Sequence, residues 1–319
     1  MFDLAINTFF YLLGMVCPRQ RVVVLNYHRI SNGSQDFLLD EPDEEQFTRH
    51  IRWLKLFFDV SNIETALYRL KNEKLKRPII CFSFDDGYKN NLEVALPVLR
   101  KEDISACFFV TYNQKPNFMM WNDRIYCALK ASTKKELHFN SYNCSLTYNN
   151  HSPLSTSKIT TFIECVKYLK KSDREELLSN LSAALGTTNM PSKDLMMNDR
   201  DLNLLVEAKM EIGAHATDHD VLTTLSDDEA QEEIRSLRPK IEAAINKPIA
   251  YYAYPNGKYA KDFSDKHVAL IKGAGFKAAF TTNWGSIKAS TDLHKLPRFL
   301  PWRKSKFGFL IIIFKSLYS

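Results

Sequence analysis

The sequence predicts an α/β protein built on a parallel sheet, and three observations carry that prediction. Short continuous apolar runs rich in β-branched and aromatic residues recur along the chain. Amphipathic segments of helical period separate them, the pattern of buried parallel strands covered on both faces. Several runs also stop at polar clusters such as His28 and Asp85-Asp86-Gly87. The carboxyl ends of strands are where parallel α/β proteins place their chemistry.

Taken in order, Arg21 to Tyr27 is a first buried strand that ends at His28. Glu44 to Phe58 places Phe47, Ile51, Leu54 and Phe58 on one helical face. Pro78 to Phe84 is the next strand, followed by a helix through Leu92 to Arg100 and a third strand at Ser105 to Thr111. The pattern weakens from Tyr112 to about Asn198, and Tyr142 to Thr161, rich in Ser, Thr and Asn, reads as an irregular insertion. Lys209 to Gly213 is a short strand feeding His215. Ser226 and Glu229 form a capping box ahead of a helix whose buried stripe is Ala230, Ile234, Leu237 and Ile241. Ile249 to Tyr254 and Lys277 to Thr281 are further strands, with Ser264 to Ala274 as the helix between them.

A chain of 319 residues with 45% hydrophobic and 25% charged side chains has ample material for a core. Its formal charge of +6 comes without a concentrated basic helix or arm, so no nucleic-acid partner is expected. The six cysteines form no C-x-x-C pair, and Cys81 and Cys107 lie in apolar strands. Free thiols and a reducing compartment are expected: cytoplasmic, or peripheral at the inner face of the membrane, ahead of secretion.

Both ends are apolar. In residues 1–20, Asp3 stands where a signal peptide carries basic residues, and Leu4 to Val16 is too short to span a bilayer. In residues 303–319, Arg303, Lys304, Lys306 and Lys315 flank an apolar segment. Two expectations stand side by side: helices docked on the domain, or peripheral contact with an anionic membrane.

Two stretches about 130 residues apart carry the chemistry: Phe84-Asp85-Asp86-Gly87 and His215-Ala216-Thr217-Asp218-His219. One carboxylate and two imidazoles make part of a zinc-like shell with room left for water. The second carboxylate would then be free to take that water's proton. Histidines four apart suit one face of a helical turn, and no glutamate follows His215 to act as a built-in base, so Asp85 is the candidate. Taken alone, Asp-Gly is also a common turn, and a strand-end aspartate pair also holds metal–diphosphate in nucleotide-sugar transferases.

The ordered motifs between Val22 and Phe299 resemble the polysaccharide deacetylases with a NodB-like domain (carbohydrate esterase family 4). Phe84-Asp85-Asp86-Gly87 is similar to the first motif, His215 and His219 to the second, and Tyr254-Pro255-Asn256-Gly257 to one form of the third. Leu25 to Ile30, Trp121-Asn122-Asp123-Arg124 and Leu296-Pro297-Arg298 resemble the same branch, which is linked to cell-surface polysaccharide pathways.

The resemblance implies a distorted (β/α) barrel spanning 21–302, with a variable insertion at about 113–200. It also implies hydrolytic removal of N-acetyl groups from a glycan. Asp85 would be the base. Asp86, His215 and His219 would hold one divalent metal, Zn(2+) first, with Ni(2+), Co(2+) or Fe(2+) also compatible. Tyr254, Pro255, Asn256, Arg298, Trp121 and Tyr88 would line the substrate site, Trp284 adding a further ring for stacking on sugars. The general acid would be His294, which follows Leu293, or His28. Two departures stand out: Ala216 replaces the hydroxyl residue after the first histidine, and the arginine that opens the third motif is absent, leaving Arg298 as its substitute. The rival readings are a non-catalytic carbohydrate-binding relative and a metal-dependent glycosyltransferase.

Overall fold

The computed structural model describes residues 2–31, 41–115, 117–188, 195–300 and 303–319; the predicted domain boundary at 302 lies outside them. Helix α1 (Phe2–Val16) precedes β1 (Val22–Tyr27), α2 (Glu44–Phe57), β2 (Asp59–Val60) and α3 (Ile63–Asn72). Strand β3 (Ile79–Phe84) leads through a π-helical turn (Asn91–Ala95) to α4 (Leu96–Lys101) and β4 (Cys107–Thr111). Then come α5 (Trp121–Ala131), the hairpin β5 (Leu137–Ser141) and β6 (Cys144–Tyr148), α6 (Thr156–Val166), α7 (Lys171–Leu185) and α8 (Asp199–Glu207). The last elements are β7 (Glu211–Ala216), α9 (Asp227–Ile245), β8 (Tyr251–Ala253), α10 (Asp265–Gly273), β9 (Ala278–Phe280) and α11 (Lys306–Ser316).

The sheet runs β1-β3-β4-β7-β8-β9, all parallel, with β2 beside the start of β3. All six residues of β1 and all six of β3 are buried, which is why these strands read as unbroken apolar runs. The sheet curls. Leu296 bridges Phe280 of β9 and Phe299 bridges Leu25 of β1, so the Leu296–Phe299 segment joins the two ends of the sheet. Gly213 allows β7 to lie tightly between its neighbours, since a β-carbon there would meet the Phe109 ring at 2.5 Å and the Tyr251 carbonyl at 3.0 Å. The capping boxes behave as the sequence predicts: the Ser226 side chain accepts from the Glu229 N–H, and Glu229 reaches back to the Ser226 N–H.

The stretch from Tyr142 to Thr161 carries β6 and the start of α6, contrary to the sequence prediction of an irregular segment. Leu137, Phe139, Leu146 and Tyr148 alternate with exposed residues on β5 and β6 and pack with Phe162, Leu177 and Leu181 into a separate core. Tyr142 and Asn143 both hold left-handed backbone (φ 52° and 60°), the two-residue geometry that a tight hairpin requires. The Ser/Thr/Asn content that suggested a loop is spread over the hairpin turn and the exposed face of β6, the connection that follows, and the first turns of α6.

Cys144 and Cys165 form a disulfide that ties β6 to α6, with Cα atoms 5.6 Å apart. This corrects the expectation of free thiols throughout. It also removes the argument for a reducing compartment, which rested on that expectation.

Both chain ends dock as helices. Phe10 of α1 packs on Phe57 of α2 and Phe314 of α11, and Phe309 of α11 stacks on His50 of α2 at 4.0 Å. No helix among the described residues is long and apolar enough to cross a membrane.

Candidate metal centre

The aspartate pair sits where β3 stops. The Asp85 N–H donates to the Tyr27 carbonyl (2.8 Å), and the Asp86 carbonyl accepts from the Thr111 N–H (3.0 Å), so the turn is pinned to both neighbouring strands. Asp86 then adopts left-handed backbone (φ 75°) ahead of Gly87 (φ 81°). An aspartate in that region is strained, and such strain persists only where surrounding contacts fix it.

The histidines do not share a helical turn. His215 lies within β7, while His219 follows in the loop with φ 59°. The reversal of the chain between them brings their ring centroids to 5.1 Å. The Thr217 N–H donates to Glu233 Oε1 of α9 at 2.5 Å, so a carboxylate steadies this loop beside Ala216, where a hydroxyl was expected.

Asp86 Oδ1 lies 3.4 Å from Nε2 of both His215 and His219, is buried, and has no hydrogen-bond partner. Ligand atoms about 2.0–2.1 Å from a tetrahedral ion stand about 3.3–3.4 Å from one another. The trio therefore has the spacing of a ligand set. His215 Nδ1 lies 2.7 Å from the Ala253 carbonyl, which can only accept, so Nδ1 carries the proton and Nε2 presents a lone pair to the centre. Burial lowers the His219 pKa to about 4, a shift only partly offset by Asp86, which leaves a neutral ring at neutral pH. Burial works to raise the Asp86 pKa, and positive charge on the His219 and His215 rings works the other way and wins, so any positive charge brought into this site favours the ionised carboxylate.

Asp85 has a different partner. Arg298, fully buried, grips it with two parallel bonds of 2.6 Å, from Nη1 to Oδ1 and from Nη2 to Oδ2. Asn26 Nδ2 adds a bond to Oδ2 at 3.1 Å, while Asn26 Oδ1 accepts from Arg298 Nη1 at 3.0 Å. Burial works to raise the Asp85 pKa, and the guanidinium reverses the sign, holding it below the usual carboxylate range.

The positions expected to bind substrate therefore divide. Arg298 has no exposed surface and holds Asp85, so it cannot touch a glycan. Tyr88 and Trp121 are likewise buried: Arg29 lies over the Tyr88 ring at 3.4 Å, and Trp121 Nε1 donates to the His219 carbonyl at 3.3 Å. Tyr254 is stacked on Phe263 at 3.6 Å with its hydroxyl on the His294 carbonyl, and Pro255 is buried beside it. These side chains support the site from within. Asn256 is half-buried and its buried Nδ2 has no hydrogen-bond partner, and Trp284, just past β9, is half exposed, so neither side chain is spent on supporting the site. His294 does not join the cluster: its Nε2 donates to the Phe276 carbonyl at the amino end of β9 (2.9 Å). His28, half-buried after β1, is close enough for its charge to act on Asp85, Asp86 and His219.

Sequence reasoning missed Asn26 and the clamp on the second histidine. A lone amide in the apolar run Val22–Tyr27 was the available signal for Asn26. For the clamp, the signal was an aspartate on each side of His219. Asp218 accepts from Asn113 (2.5 Å) and pairs with Lys171, while Asp220 pairs with Arg174, which is buried against Trp121 (5.2 Å). Helix α7 thus holds the loop from the insertion side. Arg174→Met is expected to weaken zinc affinity roughly 10–100-fold, as removal of outer partners of metal ligands generally does. Isothermal titration of metal-stripped protein tests this, and an unchanged affinity would show that the clamp serves folding alone.

Residues 72–279, well over half of the chain, match the family model for polysaccharide deacetylase. A 92-residue stretch is 32% identical to the putative polysaccharide deacetylase YxkH of Bacillus subtilis (strain 168), covering 28% of this chain and 32% of that relative. The chain thus matches about a third of that protein's length. Among solved structures, the Streptococcus pyogenes deacetylase PplD, in complex with acetate, aligns with TM-score 0.59 and 16% identity over 92% of this chain and 99% of that one. IcaB from Ammonifex degensii aligns with TM-score 0.56 and 16% identity over 91% and 97%. At such identities these structures establish the fold, an α/β half-barrel of curled parallel sheet. Together with the family match, this places the chain in the polysaccharide deacetylase family.

Proposed function

We propose that this protein is a metal-dependent hydrolase that removes N-acetyl groups from a glycan. The observation that carries the reading is the convergence of Asp86, His215 and His219 on one point, with an ionised, arginine-held Asp85 as the next residue in the chain. Two nitrogens and one oxygen suit zinc, with nickel, cobalt and iron also compatible. When bound, such an ion supplies Lewis acidity towards the acetyl carbonyl and towards water.

The chain's own residues supply the rest. Asp85 Oδ2 already accepts from Arg298 and Asn26, whereas Oδ1 accepts only from Arg298 and keeps a lone pair for a water proton. His28 would protonate the departing amine, a poor leaving group until it gains that proton. Asn256 and Trp284 face the glycan. The transferase reading fits poorly, because Arg298 occupies one of the two carboxylates that a diphosphate–metal motif would need.

The test is acetate release from N-acetylated oligosaccharides of several classes. Activity is expected with zinc, is lost on chelation and returns on re-addition, and His219→Ala should bind no stoichiometric metal. Tight glycan binding with no acetate under any of the four metals would reassign the chain as a binding module.

A further inference from the structure

Helix α1 is apolar over most of its circumference, with Asp3 its single charged residue and Asn7 and Thr8 its only other polar side chains apart from the Tyr11 hydroxyl. A helix of that kind is normally covered on every side. Its inner stripe is covered: Ile6 and Phe10 are buried against α2 and α11. Its outer stripe is bare. Leu4, Tyr11, Leu12, Met15 and Val16 are 51–73% exposed, and their spacing places them on one face. Leu56 at the end of α2 (49%) and Phe307 at the start of α11 (46%) extend the same apolar surface. Two grooves of about 310 and 160 Å³ run where Tyr11 meets Leu56 and Phe57.

The charge around this patch is mostly positive: Arg19, Lys76 and Arg77 line the smaller groove, and Arg303 stands exposed just before α11. The Asp3 carboxylate is already paired with Lys306 at 3.4 Å.

We propose that this face docks on an anionic lipid surface, with α1 lying in the interfacial plane and the surrounding cations meeting lipid phosphates. Burial of an apolar helix face and attraction of basic side chains to anionic headgroups act together in such binding. A second copy of the chain is the weaker occupant, because a two-fold contact would bring the same arginines and lysines face to face. Crossing the bilayer is not required, and no described helix has the length for it. The orientation suits work on a glycan. Lys76 and Arg77 precede the start of β3, whereas Asp85 and Asp86 follow its end, about 20 Å away along a six-residue strand. The Lys76–Arg77 end of the docked face therefore lies at the opposite end of β3 from the candidate metal ligand Asp86.

Co-sedimentation of the full chain with vesicles tests this. Binding is expected to phosphatidylcholine vesicles that contain phosphatidylglycerol. It should fall roughly tenfold or more with phosphatidylcholine alone, with high salt, and in two separate variants. Leu12→Glu with Val16→Glu removes the apolar contact, and Lys76→Glu with Arg77→Glu removes charge without touching α1. Both variants should keep the wild-type melting temperature and act normally on a soluble oligosaccharide, which separates this docking role from the proposed hydrolase activity. Equal sedimentation of wild type and both variants would overturn the proposal. So would an absence of vesicle binding, whether or not ultracentrifugation then reveals a dimer through this face.

Discussion

Asp85→Asn should reduce acetate release by roughly 10²–10⁴-fold, the usual contribution of a positioned general base, while zinc still binds at one equivalent. The two effects separate because Asp85 and Asp86 have different partners. The ligand trio is Asp86, His215 and His219, and none of its short contacts passes through the Asp85 side chain. The amide in this variant keeps the shape of the carboxylate but loses the basic oxygen that faces the water. Metal content and activity must therefore be measured on the same preparation. If metal were lost together with activity, Asp85 would belong to the ligand set, and the division of labour between the two aspartates would be wrong.

The cluster of Asp86, His215 and His219 was readable in the sequence because its residue types stand in or just after sheet strands. β1, β3 and β4 lie where unbroken apolar runs predicted them, since strands buried on both faces leave that trace, whereas β7 runs Glu211–Ala216, past the predicted Lys209 to Gly213, and takes in His215. The late strands shortened to Tyr251–Ala253 and Ala278–Phe280 because little of each pairs with its neighbours. Three features escaped. The hairpin of the insertion alternates apolar and polar residues, which a composition count reads as a loop. Of the aromatics assigned to sugar stacking, Tyr88, Trp121 and Tyr254 are buried supports and only Trp284 is exposed, because a tyrosine or tryptophan beside a motif looks the same in sequence whether it faces a cleft or a core. The choice between His28 and His294 needed the third dimension: both follow apolar residues, but only His28 stands at the carboxyl end of a sheet strand whose neighbour carries the aspartates.

Arg298→Gln is expected to cost about 3–5 kcal/mol near neutral pH, because it strands a buried carboxylate. Its effect on pH dependence is more diagnostic than its size. In the wild type the guanidinium overcomes burial and holds the Asp85 pKa below its ordinary value. That stabilisation is fully present above the unfolded pKa of about 4 and fades as pH falls through the folded value. Without Arg298 the largest counterweight to burial is gone and only the weaker pull of His215, His28 and the Asn26 amide remains, so the folded pKa is expected to rise above the unfolded one. The sign then reverses: the variant is least compromised in acid, where Asp85 is neutral in both states, and loses stability as pH rises. Urea denaturation at about pH 5 and about pH 8 should therefore give a larger deficit at the higher pH. The double variant Asp85→Asn/Arg298→Gln should recover much of that deficit by replacing both charges with amides, yet recover no acetate release. A deficit independent of pH would mean that Arg298 contributes packing and not charge, and the arginine-held base would have to be abandoned.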